Sequence, residues 1–195
     1  HIDGLAELKS VDGFLSIAFN DELVQIDGLV GLDFLGNSLV LDHNPSLTSV
    51  DGLAGLTYVR QDIYIEDNLA LASLEGLSNV TELGGELTIS YNAALPRIDG
   101  FAGLTTVGAS LSVEHNASLV GLDGLSGITT VPGYLTIARN PVLTDLEGLG
   151  SVTTVGGAFA IEYNLELCEL DAMALAAPVT VGGAVIIRGN EGECE

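Results

Sequence analysis

Glu114 and His115 stand side by side with Asp123 close behind, and Asp42-His43 repeats the same carboxylate–imidazole pairing upstream. Residues of these types serve as metal ligands or as an acid/base couple. Asp42, Glu66 and Asp67 add the hard oxygens that calcium takes. Asn79-Val80-Thr81 and Asn116-Ala117-Ser118 match the acceptor pattern for N-glycosylation. Cys168 and Cys194 are the two cysteines of the chain.

A repeat governs where all of these fall. Asp/Glu-Gly-Leu or a near variant recurs at Asp3, Asp27, Asp51, Glu75, Asp99, Asp123 and Glu147, and Asp171 continues the series as Asp-Ala-Met. Asparagine keeps the same step at Asn20, Asn44, Asn68, Asn92, Asn116, Asn140 and Asn164, with Asn190 following after a slightly longer interval. The unit reads L-x-x-L-x-x-V-x-G-x-L-x-I-x-x-N-x-x-L-x-x-L-D-G. A fixed period of about 24 residues marks a solenoid. The L-x-I step has the period of two of a strand with one buried face, and the L-x-x-L steps suit bends between short strands. Helix is a poor reading, because glycine recurs in every unit and no window of about ten residues keeps a 3.6-residue period. One coil cannot bury its own Leu and Ile columns, whereas a stack of about eight can. At about 4.8 Å per coil the rod would be roughly 35–40 Å long.

This unit resembles the repeat of the receptor L-domain family, which includes the ligand-binding L domains of growth-factor receptors and related microbial surface proteins. It shares the L-x-L-x-x-N core of the wider leucine-rich-repeat superfamily. The resemblance covers almost the whole chain. It implies an all-β, right-handed parallel β-solenoid of about eight 24-residue coils over residues 1–195, with a capping coil at about 171–195. It also implies an extracellular or cell-surface recognition or adhesion module with an unknown protein or glycan ligand. The regular period, and the lack of a cysteine-rich module or N-terminal disulfide cap, favour the microbial type over the receptors.

Composition narrows the function further. The 195 residues carry 27 acids against 5 bases, a net charge of −22, with a mean hydropathy of +0.45. Such a chain repels a phosphate backbone, so no nucleic acid is expected as a partner. No apolar run approaches the roughly 18 residues of a membrane span, so no membrane insertion is expected. Neither a positioned nucleophile nor a phosphate-binding loop with a lysine is present, and no enzyme and no cofactor are expected.

Within the repeat, the candidate sites acquire structural explanations. The asparagines are expected to form a ladder, which makes the Asn116 sequon incidental and leaves Asn79, in a surface turn, as the better acceptor. The Asp/Glu-Gly acids are expected to cap the turn that follows them. His43 and His115 lie three coils, roughly 14 Å, apart and cannot share a metal. Cys168 and Cys194 each follow a ladder asparagine by four residues, so they occupy one position of adjacent coils and are expected to form a disulfide that staples the last coil.

Variation is left for the outward strand positions. These place Tyr64, Glu66, Asp67, Tyr91, Glu114, His115, Arg139, Glu162 and Tyr163 on one candidate binding face. Thr57, Thr81, Thr105, Thr129 and Thr153, with Thr106, Thr130 and Thr154 beside them, form an alternative threonine face of the kind ice-binding solenoids use. A third possibility is end-to-end assembly through an uncapped N-terminal coil, where the natural chain extends or docks.

Overall fold

A computed structural model describes residues 2–194; the side chain of Asp3, the first of the acid column, lies outside the described ones. Each repeat contributes one four-residue strand to a parallel sheet of eight strands, stacked in chain order from Leu15–Ala18 to Val185–Arg188. Register follows the 24-residue step directly, with Leu111 opposite Leu87 and Leu135, and Val113 opposite Ile89 and Ile137. The chain therefore forms a leucine-rich-repeat-like parallel solenoid.

Alternation within the strand separates core from face. Leu111 and Val113 point inward and are fully buried, as are the corresponding residues of the inner coils. The core draws on the same inward Leu, Ile, Val and Phe columns in successive inner coils, including Leu119, Leu122 and Leu125 of the fifth.

The Asp/Glu-Gly-Leu signature forms a short 3-10 turn, as at Asp51–Leu53 and Asp123–Leu125. Its acid does not cap the turn, contrary to the sequence expectation: these turns carry no side-chain cap. The acid is already the first turn residue, one position too late for a cap, and its exposed carboxylate faces water. Asp123 takes the Arg97 guanidinium at 2.6 Å instead. Close approach explains the glycine. A Cβ on Gly124 would overlap the carbonyl oxygen of Ile98 in the preceding coil.

The asparagine column is the ladder expected. Asn44, Asn68, Asn92, Asn116, Asn140 and Asn164 are wholly buried. Asn116 donates its backbone N–H to Asn140 Oδ1 at 3.0 Å and its Nδ2 to Ile89 O and Glu114 O, each at 3.0 Å. Its own Oδ1 accepts the N–H of Asn92 at 3.1 Å. One amide thus bonds backbone groups of two coils and gives the Asn92 N–H its acceptor, while the Glu114 carbonyl also accepts the N–H of Tyr91.

The all-β expectation fails at one place. Residues Glu169–Ala176 form a helix, α1, in the last coil. Its sequence, ELDAMALA, is built of strong helix formers with acids in the first turn, and Ala172 and Ala176 bury one face. Its eight residues make barely two turns, too few to display a 3.6-residue period. Glu169 Oε2 accepts the N–H of Asn190 at 3.4 Å and so terminates the ladder. The Cys168–Cys194 disulfide, with Cα atoms 5.0 Å apart, closes the same end.

Nothing comparable covers the first coil among the described residues. Asn20 is exposed, and Ile2, Leu15 and Ile17 line shallow pockets at this end.

Candidate functional site

The last outward residue of every coil adopts an unusual backbone. Phe19, His43, Asp67, Tyr91, His115, Arg139 and Tyr163 all have φ between 51° and 58°, the left-handed region. Only the final coil places glycine there, at Gly189. This conformation turns two consecutive side chains outward, the last strand residue and the one after it, before the asparagine turns back into the core. Each non-glycine residue held there costs on the order of 1 kcal/mol.

Stacking organises this ridge. Phe19 lies on His43 with ring centroids 4.8 Å apart, and Tyr91 lies on His115 at 4.4 Å and 9° from parallel. Arg139 and Arg188 approach the Tyr163 ring at 5.1 and 5.6 Å from its centroid. The rings are piled along the stack of coils, so each ring of a pair has one face covered by its partner, and Phe19 and Tyr91 remain 72% and 51% exposed.

His43 is bracketed by carboxylates, with Nδ1 2.5 Å from Asp42 Oδ1 and Nε2 2.9 Å from Asp67 Oδ2. The Asp42 hydrogen bond first, and then the charges of Asp42, Asp67 and Glu66, raise its pKa above the ordinary histidine value of 6.5. Asp42, Glu66 and Asp67 therefore gather around an imidazole rather than converging on a shared point. Among the described residues no group of three or more His, Cys, Asp or Glu side chains is placed to hold a metal ion.

The sequence-derived face is thus divided. Asp67, Tyr91, His115, Arg139 and Tyr163 lie on the ridge. Glu66, Glu114 and Glu162 lie beside it and accept bonds from Ser90 Oγ at 3.2 Å, Ser112 Oγ at 2.7 Å and Arg188 Nε at 2.6 Å. Tyr64 stands apart, half-buried in the mid-strand column, where burial and the nearby Asp62 and Glu86 carboxylates raise its pKa. Tyr64 therefore occupies a different column of the candidate face from Tyr91 and Tyr163.

Tyr134 was missed. Its hydroxyl donates to Glu86 Oε1 at 2.8 Å, an oxygen that also accepts Thr88 Oγ1 at 3.0 Å. Extending the strand alternation one residue upstream would have found this column. Phe19 and His43 belong to the ridge as fully as the residues chosen from its other coils.

The threonine face is less free than its sequence suggests. Thr57, Thr105 and Thr153 donate their hydroxyls to backbone carbonyls of the preceding coil, at 3.1–3.2 Å. Thr81 and Thr129 share that column, and their carbonyl oxygens accept the N–H groups of Thr105 and Thr153. Thr106, Thr130 and Thr154 lie in two-residue strands whose sheet is interrupted between Val107 and Thr130. Pro132 occupies the position from which Gly156 donates its N–H to Val131, and it has no N–H to donate.

Among the described residues no helix is long and apolar enough to cross a membrane. No protein-family model, curated protein or solved structure matches the chain.

Proposed function

We propose that the chain is a non-catalytic recognition or adhesion module that binds an extracellular protein or glycan along the left-handed ridge and the sheet face beside it. The observation that carries this reading is the occupancy of the ridge. Glycine would fill a position at φ near +55° without strain, yet seven coils place Phe, His, Asp, Tyr or Arg there. Their side chains differ between coils while the core columns stay uniform. Strain maintained at variable, exposed side chains is the mark of a surface kept for contact.

On this reading residues 1–195 form one right-handed solenoid of the receptor L-domain type, with residues 171–195 as its capping coil. The disulfide supports an oxidising, extracellular or cell-surface location.

Arrays of purified extracellular proteins and of glycans, probed with the chain and with a His43→Gly, Tyr91→Gly, His115→Gly, Tyr163→Gly variant, test the proposal. Reproducible binding by the parent, lost in a variant that melts no lower, supports it. Equal binding by both, or none by the parent, refutes it.

A second reading is end-to-end association through the first coil. Asn20 is exposed there, and the apolar side chains of Ile2, Leu15 and Ile17 line the same end. Concentration-dependent assembly in light scattering, abolished by Ile17→Asp, would support that reading.

A further inference from the structure

Arg139 is anomalous in so acidic a protein. Only five of its residues are Lys or Arg. The guanidiniums of Arg97 and Arg188 are paired with Asp123 and Glu162; Lys9, Arg60 and Arg139 make no salt bridge among the described residues, and of these three it is Arg139 that lies over an aromatic ring. It stacks instead on Tyr163 and borders a shallow pocket of about 380 Å3 lined by Arg139, Pro141, Tyr163 and Leu165. No carboxylate of the described residues lines this pocket, although the chain has 27 acids. Leu165 remains 49% exposed. Glu162, next to Tyr163 in the chain, is paired with Arg188, while Glu166, next to Leu165, is exposed outside the lining.

The geometry points to a binding site for the C-terminal residue of a polypeptide, with its free carboxylate on Arg139 and its apolar side chain against Pro141, Tyr163 and Leu165. This rests on the recognition reading above and names one ligand chemistry for one part of the ridge. The guanidinium presents a planar fork of N–H donors, and a carboxylate is the anion that accepts two of them in parallel. The cation lies 5.1 Å from the centre of the ring that forms the pocket's apolar wall. Anion and apolar group must therefore lie within a few ångströms of each other in the ligand. A chain-terminal Leu or Phe meets that requirement, because both groups spring from one Cα. An internal Asp or Glu carries its carboxylate without an apolar companion on the same carbon. The pocket is open on its outer side, leaving room for the rest of a chain.

The test is an amide-resolved NMR titration of the intact chain with three probes: N-acetyl-Ala-Ala-Leu as the free acid, the same peptide as its C-terminal amide, and N-acetyl-Ala-Ala-Asp-amide. The free acid should shift resonances of Arg139, Tyr163 and Leu165. The other two should bind at least about tenfold more weakly, as expected for a lost charge-assisted bidentate contact. Arg139→Gln should weaken the acid about tenfold without changing the melting temperature, and Arg139→Lys should restore little of the loss because it lacks the fork. Binding of the acid should also weaken as salt is raised. Equal binding of acid and amide, shifts confined to other coils, or no shift at about 10 mM acid would overturn the assignment. If Arg139→Gln keeps the array binding of the parent while the peptide fails, this site is refuted and the broader recognition reading stands.

Discussion

Replacing Asn116 with alanine measures how much of the stability resides in the asparagine ladder. The side chain is fully buried and makes three kinds of bond: to its own coil, to the previous coil and to the next. Alanine leaves the Asn92 N–H without its acceptor and the Ile89 carbonyl without its side-chain donor, both in the dry interior. A buried group left unpaired costs about 1–3 kcal/mol and a lost additional hydrogen bond about 1 kcal/mol, so the change predicts a loss of about 3 kcal/mol. Asn116→Asp should cost at least as much, since it directs a buried carboxylate at the Ile89 and Glu114 carbonyls that Nδ2 now serves. Two controls calibrate the effect. Asn20, at the exposed end of the ladder, donates Nδ2 to Ala18 O but receives nothing from a preceding coil, so Asn20→Ala should cost about 1 kcal/mol. Exposed Asn79→Ala should cost less than about 1 kcal/mol. Urea unfolding followed by far-ultraviolet circular dichroism reads all four variants. A loss below about 1 kcal/mol for Asn116→Ala, or a cost for Asn20 equal to that for Asn116, would refute the ladder as a source of stability.

Three further expectations follow from other parts of the fold. The His43 pKa is raised in the folded chain, so its contribution is complete below pH 6.5 and is lost as the pH rises through the higher folded value; the melting temperature should fall over that window in the parent and less in His43→Gln. Gly124→Ala drives a Cβ into the Ile98 carbonyl and should destabilise by about 3 kcal/mol or abolish folding, while Gly13→Ala, with nothing within 4 Å, should be near neutral by thermal unfolding. Cys194→Ser opens a loop of 26 residues and should cost about 3 kcal/mol, with fraying read as loss of amide-exchange protection in the last coil and disulfide formation checked by mass before and after reduction.

Periodicity made the solenoid legible. Inward Leu, Ile and Val, the asparagine ladder and the pairing of Cys168 with Cys194 each follow from one residue type recurring at one step, because parallel stacking places equivalent residues directly above one another. Breaks in the period were harder to interpret. The stretch from Glu169 to Ala176 carries helix-forming residues, but too few to display a helical period, and it becomes α1 because the last coil buries Ala172 and Ala176. The acids of the 3-10 turns were mistaken for caps because Asp before Gly commonly begins a turn, and sequence does not distinguish the cap from the first turn residue.

The sequence by itself determined the repeat, the direction each column faces and the acidity of the surface, since all three are properties of residue type and spacing. Only the tertiary structure decided which outward residues meet. The left-handed turn after each strand is invisible in a residue such as Tyr91 or Arg139, because neither favours that conformation; the asparagine ladder and the strand above it impose it. Once it is imposed, side chains 24 residues apart come face to face, and Tyr91 stacks on His115, His43 settles between two aspartates and Arg139 lies over Tyr163. Contacts of that kind depend on the rotation of each side chain across the gap between coils, and that rotation is settled by the neighbours above and below.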